Sequence, residues 1–108
     1  MGISGWIGVD LDGTLAEYGT WKGADHIGKP IPLMVERVKK WLSEGVKVKI
    51  MTARYDNGAE QILLIQAWCK EHLGQELEVT NKKDYGMIEL WDDRAITVET
   101  NTGRVLTK

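Results

Sequence analysis

The run Ile7-Gly8-Val9-Asp10-Leu11-Asp12-Gly13-Thr14-Leu15 constrains this chain more than any other stretch. An apolar segment with β-branched residues ends in two carboxylates one residue apart, then a glycine and a hydroxyl. Such a segment reads as a buried strand. Two acids at the mouth of a core strand are desolvated and repel each other unless a cation or a proton balances them. Packing alone gives no reason for such a pair.

The 108 residues suffice for one domain, spanning residues 1–108. Hydrophobic residues make up 43% and charged residues 28%, which suits a globular chain with a single core. The formal net charge is -2, so no basic field draws the chain to duplex nucleic acid or to an anionic membrane. A lone cysteine, Cys69, rules out an intrachain disulfide and fits a reducing compartment. Met1-Gly2-Ile3-Ser4-Gly5 shows no secretory pattern, and Trp6 breaks the myristoylation pattern. No apolar run is long enough to span a membrane. A cytoplasmic location is therefore expected.

Strands are expected at 5–11, 46–51, 77–80 and 87–91. The stripe Ile31, Met34, Val35, Val38, Trp41 and Leu42 predicts an amphipathic helix, with Pro32 at its start and Gly45 at its end. A second helix is expected at 59–73. Its apolar residues spread around more than one face, which predicts burial on all sides. Residues 95–106 read as a hairpin around Asn101-Thr102-Gly103. From about 14 to 29 the chain is punctuated by glycines and shows no helical period, so it is expected to form a flap over the first strand's end. This order predicts an α/β fold, a Rossmann-like, mostly parallel sheet flanked by helices. One link is strained. The connection from Val79 to Met87 is too short for a crossover helix and reaches across the sheet only if taut, at about 23 Å.

In open parallel sheets, ligands bind beyond the C-terminal ends of the strands. Here those ends deliver Asp10 and Asp12, then Thr52, then Lys82 or Lys83, then Asp92 and Asp93. Carboxylates, a hydroxyl and a cation at one sheet edge suit metal-assisted phosphoryl transfer. The phosphate ester and the attacking carboxylate are both anionic and need positive charge between them.

The set Asp10-Leu11-Asp12-Gly13-Thr14, Ile50-Met51-Thr52, Lys83 and Asp92-Asp93 resembles the four motifs of the haloacid-dehalogenase-like (HAD) phosphohydrolases. The resemblance covers nearly the whole chain in the family's order, and its first motif is the specific one. It implies a Mg²⁺-dependent phosphatase. Asp10 would attack phosphorus to form an aspartyl-phosphate. Asp12 would protonate the leaving oxygen and then deprotonate water. The backbone carbonyl of Asp12 and the side chains of Asp10 and Asp92 would hold Mg²⁺, with Asp93 behind them. Thr52 and Lys83 would hold the phosphoryl oxygens. Lys83 is favoured over Lys82 by likeness to the family's Asn-x-Lys-Asp segments.

The chain departs from most of the family in having no cap domain, because the flap is too short to be one. An open site implies a macromolecular substrate, such as a nucleic-acid terminal phosphate or a phosphoprotein, or a small molecule covered by the flap or by a second subunit of a homo-oligomer. Blander readings stand beside these. Thr52 also admits a reading as a turn cap, Arg54 and Arg94 read as phosphate ligands or as charge partners of nearby acids, and His26 as a solvated loop residue. Tyr18 and Trp21 fit a stacking platform or flap packing. Two rival functions are a receiver-like phospho-accepting signalling domain and a catalytically silent phosphate- or metal-binding module. A receiver takes its acidic pair and its phosphorylated Asp from different strands, whereas Asp10 and Asp12 share one.

Overall fold

In the computed structural model residues 4–106 are described. Strands β1 (Trp6–Val9), β2 (Lys47–Met51), β3 (Glu78–Thr80) and β4 (Met87–Trp91) form one sheet in the order β3-β2-β1-β4. All three pairings are parallel. Helix α1 (Pro32–Ser43) joins β1 to β2, and α2 (Ala59–Leu73) joins β2 to β3. This is the α/β fold expected, and among the described residues no cap domain is present.

The chain steps from β1 to β2 to β3 in one direction across the sheet. Right-handed crossovers then place both helices on the same face. Strand alternation bears this out. Ile7, Val9, Val48, Ile50 and Val79 all turn to that face. They form one cluster with Met34, Val35 and Val38 of α1 and Ile65, Trp68, Cys69 and Leu73 of α2. The α1 stripe packs as its spacing predicts. Helix α2 does not, for Leu63 is 65% exposed and Leu64 also lies open. With both helices on one side of the sheet, no second layer covers the far side of α2.

The short link from β3 to β4 is a taut strap. It must cross three strand spacings, about 14 Å, and descend the sheet as well. It runs over the face opposite the helices, where Trp6 and Lys49 lie. Trp6 donates its indole N–H to Asp84 at 2.8 Å and its backbone N–H to the Gly86 carbonyl at 2.7 Å. The buried Lys49 ammonium sits over the Trp6 ring, 3.2 Å from Glu78 and 3.9 Å from Asp84. A strap held by polar contacts replaces the missing crossover helix.

The terminal segment folds back as expected, with Val98 bridging Val105 and Asn101 at a φ of 67°. Among the described residues no helix is long and apolar enough to cross a membrane.

Candidate active site

Beyond Val9 the backbone coils tightly around one carbonyl. The Leu11 oxygen accepts from the N–H groups of Thr14, Leu15 and Ala16. This coil sinks Leu11, Leu15 and Ala16 into the core, each fully buried. The polar residues between them, Asp10, Asp12 and Thr14, are left at the mouth of the sheet. The alternation of apolar and polar types in the motif is thus the pattern of one tight coil over the core.

The parallel pairing of β1 with β4 brings the second acidic pair alongside. Val9 is in register with Trp91, and the Asp10 N–H donates to the Trp91 carbonyl at 2.9 Å. Carboxylate oxygens of Asp10, Asp92 and Asp93 consequently lie within 4.8 Å of one another. The Thr14 hydroxyl sits between them, 3.3 Å from Asp10 and 3.1 Å from Asp93, and accepts the Asp93 N–H at 3.0 Å. The Asp92 carboxylate accepts the Arg94 N–H at 2.7 Å. Burial pushes the Asp10 carboxyl up to about 7. A hydrogen bond with Asp93 and the charges of Asp92 and Asp93 add to that rise, while the Thr14 hydroxyl opposes it.

Gly13 is required by this geometry. Its φ is +91°, and a Cβ there would lie 2.6 Å from an Asp93 carboxylate oxygen. Gly13→Ala is expected to cost at least about 1–2 kcal/mol in backbone strain and to drive Asp93 out of the cluster. Thermal unfolding with and without Mg²⁺ checks this, since the variant should lose both stability and any gain from the ion.

Asp12 points elsewhere. Both its oxygens are taken by Arg54, at 2.8 Å from Nε and 3.0 Å from Nη2. Arg54 is 5% exposed and also donates to the carbonyls of Ala24 and His26 in the flap. Four of its five donor hydrogens are therefore engaged within the protein. Trp21 stacks on the guanidinium with its centroid 4.8 Å away. Arg54 is thus the charge partner of Asp12 and the anchor of the flap, and it also lines the cleft over the acidic cluster, where one donor hydrogen is left over. The carboxylate of Asp12 lies outside the acidic cluster, and that of Asp93 lies within it rather than behind it.

The flap is tied at its base and along its length. The Glu17 N–H donates to the Lys29 carbonyl at 2.8 Å, and a Cβ on Gly28 would lie 2.0 Å from the Glu17 oxygen. Gln61 reaches the Ala24 carbonyl at 2.9 Å, and the Trp68 indole reaches that of Gly28 at 3.1 Å.

A cleft of about 570 Å³ opens over the acidic cluster. Asp10, Asp12, Asp92, Asp93 and Thr52 line it. The Thr52 oxygen accepts the Arg54 N–H at 3.1 Å, so it is also the cap of the short 3-10 helix Ala53–Asn57. Its own proton has no acceptor among the described residues. Lys83 is not brought to the cleft. It is exposed, forms no ion pair among the described residues, and leaves from the edge strand as the strap turns down the sheet. Lys82 is likewise absent from the lining. Asn81, which no sequence motif marks, lines the cleft and donates to Asp56 at 2.9 Å. Arg94 lines it too, with an exposed side chain that makes no ion pair among the described residues.

An all-oxygen donor set fits a hard divalent cation. Three crowded carboxylates, one of them pushed toward neutrality, carry the surplus charge such an ion would balance. The Asp12 carbonyl oxygen accepts no hydrogen bond among the described residues.

Comparison with family models gives no match, and no curated protein matches. Among solved structures, the chain is similar to a conserved protein from Bacteroides thetaiotaomicron. The two are 25% identical, with a TM-score of 0.64, over 86% of this chain and 78% of the other. The likeness supports the parallel α/β architecture described above.

Proposed function

We propose that the chain is a Mg²⁺-dependent phosphohydrolase of the HAD-like class, cleaving phosphate monoesters through an aspartyl-phosphate on Asp10. The observation that carries the reading is the meeting of Asp10, Asp92 and Asp93 within 4.8 Å at the C-terminal mouth of a parallel sheet, with Asp12 one residue beyond Leu11.

Asp10, Asp92 and Asp93 would hold the ion, with the Asp12 carbonyl as a further ligand. When bound, Mg²⁺ neutralises the carboxylates and the substrate phosphate so that two anions can approach. A carboxylate oxygen of Asp10 forms the new bond to phosphorus as the ester oxygen leaves. The ester oxygen takes its proton from solvent. The Asp12 carboxylate, ion-paired with Arg54, takes one from the water that attacks the aspartyl-phosphate and releases phosphate from Asp10. The Arg54 clamp fixes the Asp12 side chain while leaving each oxygen a second lone-pair direction. The free Thr52 hydroxyl proton donates to a phosphoryl oxygen. Arg94, a cation of the cleft that no carboxylate pairs among the described residues, would hold the phosphoryl oxygens in place of Lys83.

Hydrolysis of a generic aryl phosphate, with Mg²⁺ and with a chelator, tests the reading. Turnover is expected only with the ion. Arg94→Ala should lower kcat/KM by roughly 10- to 100-fold. Turnover that persists in chelator would remove the metal from the account.

A further inference from the structure

Asp12 and Arg54 form a wall with a cavity on either side. One is the cleft over the acidic cluster. The other, of about 350 Å³, is a half-open hollow bordered by the flap, and Tyr18 lines both. The two differ in sign. Lys22, His26 and Lys29 line the flap cavity, and no ion pair engages their side chains among the described residues. The acids there are Glu17 and Asp12, and Arg54 already balances Asp12. The rim of this hollow thus carries two exposed lysines without ion pairs, one such carboxylate, Glu17, and the imidazole of His26.

The location gives the cavity a use, and this step rests on the function proposed above. If the water that Asp12 deprotonates enters in line where the leaving oxygen departed, a leaving group longer than one oxygen points past Asp12 toward the flap. We propose that the flap cavity takes a second phosphoryl group carried by the leaving group, so that the preferred substrate is a small bisphosphorylated compound. Lysines act as compact point charges toward phosphate and suit a dianion that is bound but not cleaved. At about 350 Å³ the cavity falls at the small end of ligand sites. That volume suits a phosphoryl group on a short carbon skeleton. The flap's anchors on Arg54, Gln61 and Trp68 hold the cavity open in advance, which lowers the ordering cost of binding.

The test compares an aryl phosphate with a hexose bisphosphate and a nucleoside bisphosphate, for the wild type and for Lys22→Ala/Lys29→Ala. At least one bisphosphate is expected to exceed the aryl phosphate in kcat/KM by about tenfold or more, and the double variant should collapse that ratio to about one. Preference for the nucleoside compound would assign the skeleton to an aromatic base beside Tyr18; preference for the hexose would assign it to a sugar. Calorimetric binding of the same bisphosphates to Asp10→Asn protein gives a readout independent of turnover. There the double variant should weaken bisphosphate binding about tenfold relative to inorganic phosphate. A wild-type ratio near one, or a ratio that survives the double substitution, overturns the inference while leaving the phosphatase reading intact. Lysine-dependent bisphosphate binding with no hydrolysis of any ester would support the inference and overturn the chemistry.

Discussion

Asp10→Asn is expected to lower aryl phosphate hydrolysis by at least about a thousand-fold, because an amide cannot serve as the nucleophile. The same substitution should change stability with a sign that depends on pH. In the metal-free protein the Asp10 carboxyl is raised from 3.8 to about 7, chiefly by burial. Between those values the folded state holds a proton that the unfolded state has lost. The contribution of the protonated form is fully present below about 4 and is gone above about 7. Metal-free wild type should therefore lose stability as pH rises through that window, and Asp10→Asn should lose less. At pH 8 without metal the variant should melt higher than the wild type, and at pH 3 the difference should vanish. Mg²⁺ reverses the order, since an ion bound only by the folded state stabilises it, and the variant lacks one ligand. Melting curves at three pH values, with and without the ion, check all of this.

Arg54→Ala carries the second large effect, and it acts on both the site and the flap. The substitution removes four hydrogen bonds, two to Asp12 and one each to the Ala24 and His26 carbonyls. It also leaves a partly buried carboxylate without its counter-charge. Breaking such a pair costs about 3 kcal/mol, or roughly 10–20 °C in melting temperature for a domain of this size. The flap should become open to protease between residues 17 and 29, because its other anchors, Gln61 and Trp68, hold only one carbonyl each. Catalysis should fall by roughly 10- to 100-fold as Asp12 loses its fixed position. Arg54→Lys should rescue little, for an ammonium cannot span both oxygens of Asp12 and two carbonyls as the planar fork does. Unchanged melting and an equally protected flap in Arg54→Ala would show that the clamp carries no weight.

Much of this arrangement is legible in the chain itself. The apolar spacing of Met34, Val35 and Val38 gives α1 its buried stripe, and Asp10-Leu11-Asp12-Gly13-Thr14 announces a charged strand end. What stays hidden are the features fixed by tertiary pairing. Sheet order decides that β4 lies beside β1, and only then do Asp92 and Asp93 meet Asp10. The end of β3 still reaches the cleft through Asn81, and the strap turns away from it before Lys83. The Arg54 side chain turns toward Asp12, 42 residues earlier, and local sequence contains nothing of that pairing. The exposure of Leu63 follows from both helices sharing one face, which the periodicity of α2 alone does not reveal. The place of Thr14 follows from the motif, since a hydroxyl four residues after an acid in a tight coil has little else to bond than carboxylates.

The central claim is that Asp10 becomes covalently phosphorylated. Quenching the protein during incubation with an aryl phosphate and Mg²⁺ with borohydride, which reduces an acyl phosphate to the alcohol, tests it most directly. Peptide mass analysis should then find homoserine at position 10 and nowhere else, with the signal absent when Mg²⁺ is withheld. Reduction at Asp12, Asp92 or Asp93, or continued turnover with Asp10 unmodified, would contradict the assignment.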